Sequence, residues 1–570
     1  MPRRDTAHLA RRIDQALGRD AADLVIKNTR FLNVVTGEIA SGDIAICGDR
    51  IVGTYEDYRG RVEIDGRDAV CVPGFIDTHL HVESTLVTPA EFDRCALPRG
   101  TTTAICDPHE ITNVMGKPGL QYFLDAALNT AIDLRVQLPS CVPATELETS
   151  GARLTADDLL PFRHHPKVIG LAEFMNFPGL FAKEPEVLDK LAAFEGGHID
   201  GHAPFLSGMA LNAYLSCGIR NCHETTTVAE AWEKLRKGVH LLIRDGTVCK
   251  DVATLAEVIN PATSSFCSFC TDDRNPLDIL EEGHLDHLIR TAIAKGAAVT
   301  DVYRAATWSA ARGFGLADRG LIAPGQRADI VLLDDLADCR VRDVITGGRL
   351  VGPEIFAGRV FAPPVGLDSM KLDSITPDDL RVPGSGPTTP VIGVTAGTVT
   401  TQFLTQTVPW RDGLRHADPD RDILKVCVIA RHGKNRNIGR GFVTGFGLRH
   451  LALASSIGHD SHNVCVVGDD DGDMALAVNR LIAMGGGFAA VGGGKVLGEL
   501  KLPVAGLMSL APFEEVARSL ATLKKLVRDL GCPLPEPFLQ LAFLPLPVIP
   551  HLRITDRGLV DVDRFALIAA

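Results

Sequence analysis

The sequence predicts an α/β fold: a (β/α)8 TIM-like barrel inserted in a small β-sandwich domain, followed by a C-terminal α+β domain. Three observations carry this. Short apolar runs alternate with helical segments over roughly 260 residues, the pattern of a parallel sheet closed into a barrel. Two stretches rich in β-formers and punctuated by Gly and Asp flank that region. A Gly/Ser/Pro break at Gly384-Ser-Gly-Pro-Thr-Thr-Pro390 then separates a third set of strands and helices, and reads as a linker.

In chain order, residues 1–20 read as a capped amphipathic helix. Its basic start resembles a targeting segment, but Asp5 and Asp14 interrupt it and no apolar region follows. Residues 21–70 and 323–365 supply the small composite β domain, through Asp23–Gly37, Gly42–Gly53, Ala323–Asp334 and Arg342–Val351. Residues 71–322 form the barrel. Residues 385–570 form the C-terminal domain, with a strand at Asp422–Ala430 and a helix at Asp473–Ala483.

Composition narrows the class. Of 570 residues, 45% are hydrophobic and 23% charged, which suits a globular chain with ample core. A net charge of −13 gives nucleic acid no electrostatic footprint, and no apolar run is long enough to span a membrane. The 14 cysteines are scattered, many within apolar runs, which is the pattern of free thiols in the cytoplasm.

Functional groups of a barrel gather at the C-terminal ends of its strands. The first run, Phe75-Ile-Asp-Thr-His-Leu-His81, ends in two histidines that alternation aims the same way. Taken alone, HxH is more often a strand emerging into solvent than half of a metal site. Later run ends bring Asp107-Pro-His-Glu110, Glu173, His202, His223 and Asp272-Asp273. Such a succession at strand ends is the nitrogen- and oxygen-rich set that a divalent ion takes.

These motifs resemble the amidohydrolase superfamily of metal-dependent hydrolases, and within it the bacterial adenine deaminases. The likeness rests on Pro73–Ser84, Cys106–Ile111, Asp200-Gly-His202, Asn221-Cys-His-Glu224 and Cys270–Arg274. It extends to Gly445–Leu448, His459-Asp-Ser-His-Asn463 and Leu502–Ser509 downstream. The resemblance implies two metal ions, Fe(II) or Mn(II) in preference to Zn(II). His79, His81 and Asp272 would hold one, His202 and His223 the other, and Glu173 would bridge them in place of the carbamylated lysine of many relatives. It further implies attack of an activated water on the amine-bearing carbon of adenine, with Asp272 accepting the proton. Glu83, His109 and Glu110 are the candidates for protonating the ring nitrogen, His109 foremost. A homodimer is the family expectation.

Other readings compete. Another amidohydrolase reaction, such as opening a cyclic amide, is compatible with the same fold. His81-Val-Glu83 with Cys267-Ser-Phe-Cys270 imitates the zinc cytidine-deaminase signature, yet Phe266 stands where that signature needs Pro. His198 reads as a surface or supporting position, and His284 and His287 as exposed polar residues of a helix. The cluster His459–Asn463 is either an exposed loop or a cover for the barrel mouth.

Overall fold

The computed structural model describes residues 6–569. The N-terminal helix spans Ala7–Ala16; the first five residues of the segment expected to be helical lie outside the described residues. Arg12 holds it to Asp49 at 3.1 Å, and Tyr58 donates from its hydroxyl to the Ala16 carbonyl at 3.1 Å.

The small β domain is one eight-stranded sheet. Its path runs Arg349–Leu350, Arg340–Thr346, Ile330–Asp335, Val70–Pro73, Ala22–Leu32, Ile39–Cys47, Arg50–Thr54, with Gly60–Asp65 beside Ala22–Leu32. The long strand Ala22–Leu32 has an irregular register between Ile26 and Thr29. Its first half pairs with Gly60–Asp65 and its second with Val70–Pro73. Leu24, Ile26, Phe31, Cys71, Ile330 and Ile345 share one core between the halves. Segments on either side of the barrel in sequence meet directly, with Ile330 opposite Pro73 and Leu333 opposite Val70.

Eight parallel strands form the barrel: β1 (Phe75–Leu80), β2 (Thr101–Cys106), β3 (Asp133–Leu138), β4 (Val168–Phe174), β5 (Ile199–Gly201), β6 (Asn221–Cys222), β7 (His240–Arg244) and β8 (Cys267–Cys270). β1 to β5 pair in order, and so do β6 to β8. Side chains and one glycine close the first seam. The Gly201 N–H donates to Asn221 Oδ1 at 2.7 Å, and a Cβ on Gly201 would sit 2.1 Å from the Asn221 carbonyl oxygen. Backbone closes the second seam, where Asp272 N–H donates to the His79 carbonyl at 3.0 Å and His81 N–H to the Asp272 carbonyl at 3.2 Å. Sequence reading passed over β3 and β7, whose apolar runs are interrupted by Arg135 and bounded by His240 and Arg244.

The C-terminal part is an eight-stranded sheet with the helix Asp471–Met484 on one face. Alternation along Leu424–Ile429 divides its residues between two cores. Leu424, Val426 and Val428 join the cluster shared with barrel residues such as Ile111 and Val114, while Cys427 and Ile429 pack under the helix. The expected linker is not one: residues 384–387 are a turn, and Thr388–Pro390 begin the strand Thr388–Gly393. All 14 cysteines are free, and no helix among the described residues is long and apolar enough to cross a membrane.

Candidate active site at the barrel mouth

His79 and His81 sit at the end of β1, both buried, and each ring is held by a hydrogen bond on Nδ1. His79 Nδ1 meets Asp200 Oδ2 at 3.0 Å, and His81 Nδ1 meets the Asp107 carbonyl at 3.0 Å. This leaves both Nε2 atoms facing the barrel axis. His81 Nε2 lies 3.3 Å from Glu173 Oε1 and 3.3 Å from Asp272 Oδ1; His79 Nε2 is 3.7 Å from each. Asp272 adopts φ +53°, a left-handed conformation that Asp tolerates better than most residues. Its backbone can thereby close the barrel on β1 while its carboxylate turns into the mouth.

Glu173, near the end of β4, is the centre of the cluster. Oε2 accepts from His202 Nδ1 at 2.7 Å and lies 3.3 Å from His223 Nε2. The His223 ring stacks on His79 with centroids 4.0 Å apart. Burial alone would raise the Glu173 carboxyl, but its bonds to His202, His223 and His81 override that and hold it well below the usual range. Asp272 behaves alike: His81 and the Arg244 guanidinium outweigh its desolvation. Lys167, the nearest lysine in sequence, points away and bonds Asp133 Oδ1 at 2.7 Å, so it takes no part in the mouth.

The six residues expected to bind metal therefore converge, as do three buried ligand-like groups: His79/His81/Asp272, His79/Glu173/His223 and His81/Asp107/His109/Glu173. His79 Nε2, His202 Nε2 and His223 Nδ1 are buried without any hydrogen-bond partner. Buried imidazole nitrogens without partners are costly, and a donor set of neutral nitrogens and carboxylates suits divalent ions.

The four catalytic candidates separate. Asp272 and His109 line the cavity; Glu83 and Glu110 stand behind that wall. His109 Nδ1 bonds Asp107 Oδ2 at 2.9 Å, leaving Nε2 toward the cavity, 3.5 Å from Asp460 Oδ1. Glu83 Oε1 accepts from the Ile111 N–H at 3.1 Å, and burial with the neighbouring Glu110 charge pushes its carboxyl up to about 8.

Two supporting residues of the site, Asp200 and Arg244, were given no role by the sequence, whereas the mouth-cover alternative for His459–Asn463 agrees with the structure. Asp200, on β5, stands two residues before His202, which follows the strand, the same spacing as His79 and His81, and that repetition was the available signal for Asp200. Arg244, at the end of β7, forks onto both oxygens of Glu224, donates to Asp272 Oδ2 at 2.9 Å and reaches Asp251 at 3.3 Å. Asp460 and His459 come from the C-terminal part, and together with Phe543 they line the same cavity as His109 and Glu173. The segment His459–Asn463 is buried throughout, so the exposed-loop alternative does not hold. His284 is likewise fully buried rather than exposed. It precedes the helix Leu285–Ala294 and bonds Thr101 Oγ1 at 2.8 Å, whereas His287 is half-buried. His198 packs at a tilt against Phe314 and lies 3.6 Å from Asp200, supporting the His79 partner.

Residues 70–351 match the amidohydrolase family, and residues 398–566 match the adenine deaminase C-terminal domain. The chain is 60% identical to a protein of Methylobacterium nodulans named adenine deaminase, over 99% of this chain and all of that one. It is 60% identical to an adenine deaminase of Gluconobacter oxydans over 98% and 99% of the two chains. For adenine deaminase 1 of Agrobacterium fabrum the identity is 59%, over 99% and 98%. With the amidohydrolase barrel, its buried histidine–carboxylate cluster and relatives matched over their whole length, the chain belongs to the adenine deaminase family of amidohydrolases.

Proposed function

We propose that this protein hydrolyses adenine to hypoxanthine and ammonia. The observation that carries the reading is Glu173 standing among His81, His202 and His223, at one barrel mouth with His79 and Asp272. We assign His79, His81 and Asp272 to one divalent ion and His202 and His223 to a second, with Glu173 between them. Nitrogen and oxygen donors suit Fe(II), Mn(II) or Zn(II), and the first two are our expectation. Bound there, such ions would supply electrostatic activation of water at neutral pH.

The chain's own residues do the rest. Arg244 fixes Asp272 by Oδ2, which leaves Oδ1 on the axis side to accept a proton from the attacking water. Asp107 holds the His109 ring by Nδ1, so that its Nε2 can hand a proton to the ring nitrogen beside the attacked carbon. Met175, Val248 and Phe543 give the cavity apolar walls that exclude bulk water. Phe543, Leu546 and Ile549 supply one side of this cavity.

The test follows the adenine-to-hypoxanthine absorbance change with Mn(II)- or Fe(II)-loaded protein against the metal-free form, alongside metal analysis. Ammonia released from a cyclic amide but not from adenine would overturn the substrate. We infer a cytoplasmic homodimer, supported by 14 unpaired cysteines for the compartment and by family expectation alone for the assembly; light scattering checks the latter.

A further inference from the structure

His459 is a buried polar side chain without adequate partners. Its Nε2 has no hydrogen-bond partner, and its Nδ1 lies 3.7 Å from both Glu110 Oε1 and Asp460 Oδ1, too far for a hydrogen bond. The ring is held by stacking on Phe543, with centroids 4.7 Å apart, and by its own backbone N–H on the Ala542 carbonyl at 2.9 Å. A buried group in this state needs a small polar neighbour.

Room for one lies on both sides of the ring. His459 and Asp273 line the catalytic cavity, and the same two residues line a second cavity of about 40 Å³ between the barrel and the C-terminal part. That volume has room for a few waters. The second cavity has apolar walls from Leu520, Phe538 and Ala542. At its inner end Ser84 donates to Glu110 at 3.0 Å and to Asp273. Across the cavity is the half-buried ion pair Lys524–Glu536. Asp273, which lines both cavities, favours a small cation at the point where they meet.

We propose that this second cavity is the exit for ammonia or ammonium, with His459 as the movable partition between it and the reaction chamber. The inference rests on the deaminase reading, in which the bond between the ring carbon and its amine breaks and the nitrogen leaves as ammonia. A purine seated in the catalytic cavity then leaves the smaller product the passage beyond His459.

Two variants narrow the passage away from the reacting groups: Ala542→Leu and Leu520→Trp. Both are measured as metal-loaded full-length protein, with metal content and thermal midpoint recorded. Where release through the passage limits turnover, kcat falls about three- to tenfold, KM for adenine is unchanged, and ammonia in bulk solution lags hypoxanthine. Wild-type kcat with simultaneous appearance of both products in a folded variant overturns the proposal. Added ammonium tests the unsubstituted protein and does not depend on either variant folding. Inhibition that is noncompetitive with adenine supports a separate route, and purely competitive inhibition overturns it. Failure of wild-type protein to release ammonia from adenine would instead refute the deaminase reading.

Discussion

At the lower end of the barrel, Asp133 opens β3 with its carboxylate shared among Arg135, Lys167 and Arg319, and Arg319 also donates to Thr103 at 2.9 Å. At the upper end, Glu173 closes β4 amid histidines of which three have a nitrogen with no partner. Both carboxylates are buried and both are held well below the ordinary range. Lys167 and Arg319 override desolvation for Asp133, whereas Glu173 depends on imidazoles that can lose their protons. Permanent cations complete the lower network and make it structural. The upper cluster is left chemically open, and that is where an ion or a substrate can be received.

The contrast can be broken from either end. Glu173→Gln removes the centre of the mouth, and kcat/KM should fall by about 10³-fold or more, with loss of bound metal seen by metal analysis. Arg319→Met leaves Asp133 short of a cation at the base. It should cost about 3 kcal/mol in denaturant unfolding while kcat stays within about twofold. Asp200→Asn weakens the hold on His79 Nδ1 and should lower metal affinity by about 10- to 100-fold, read by chelator competition. The smallest effect is in pH. The folded pKa of Asp133 is depressed from 3.8, so its contribution is present above that value and lost as pH falls through the folded one. The stability gap between wild type and Asp133→Asn should therefore be constant at neutral pH and shrink in acid below about pH 4. A gap that widens in acid would place the stabilisation elsewhere.

Much of the mouth was legible because alternation along a strand is local. His79 and His81 share a face whatever surrounds them, and Glu173, His202, His223 and Asp272 stand where apolar runs stop. What could not be read depends on contacts far apart in sequence. The reach of Arg244 to Asp272, the approach of Asp460 to His109, and the burial of His459 are set by packing of the C-terminal sheet on the barrel. β6 has only two residues in its ladder, and no periodicity announces so short a strand. His284 was misread because its position on an amphipathic helix was weighed, whereas its location just before that helix decides its burial.

The pairing of Val70–Pro73 with Ile330–Asp335 has a consequence for synthesis. The first of these strands leaves the ribosome roughly 250 residues before its neighbour, which at 5–20 residues per second is about 10–50 s. For that interval Val70–Pro73, four fully buried residues in the finished molecule, offers an unpaired edge immediately before the strand that carries His79. The nascent chain therefore spends its most aggregation-prone period with three of the eight strands of its small sheet unmade. Slowing translation downstream of β1 should lower the soluble yield more than slowing it after Asp335.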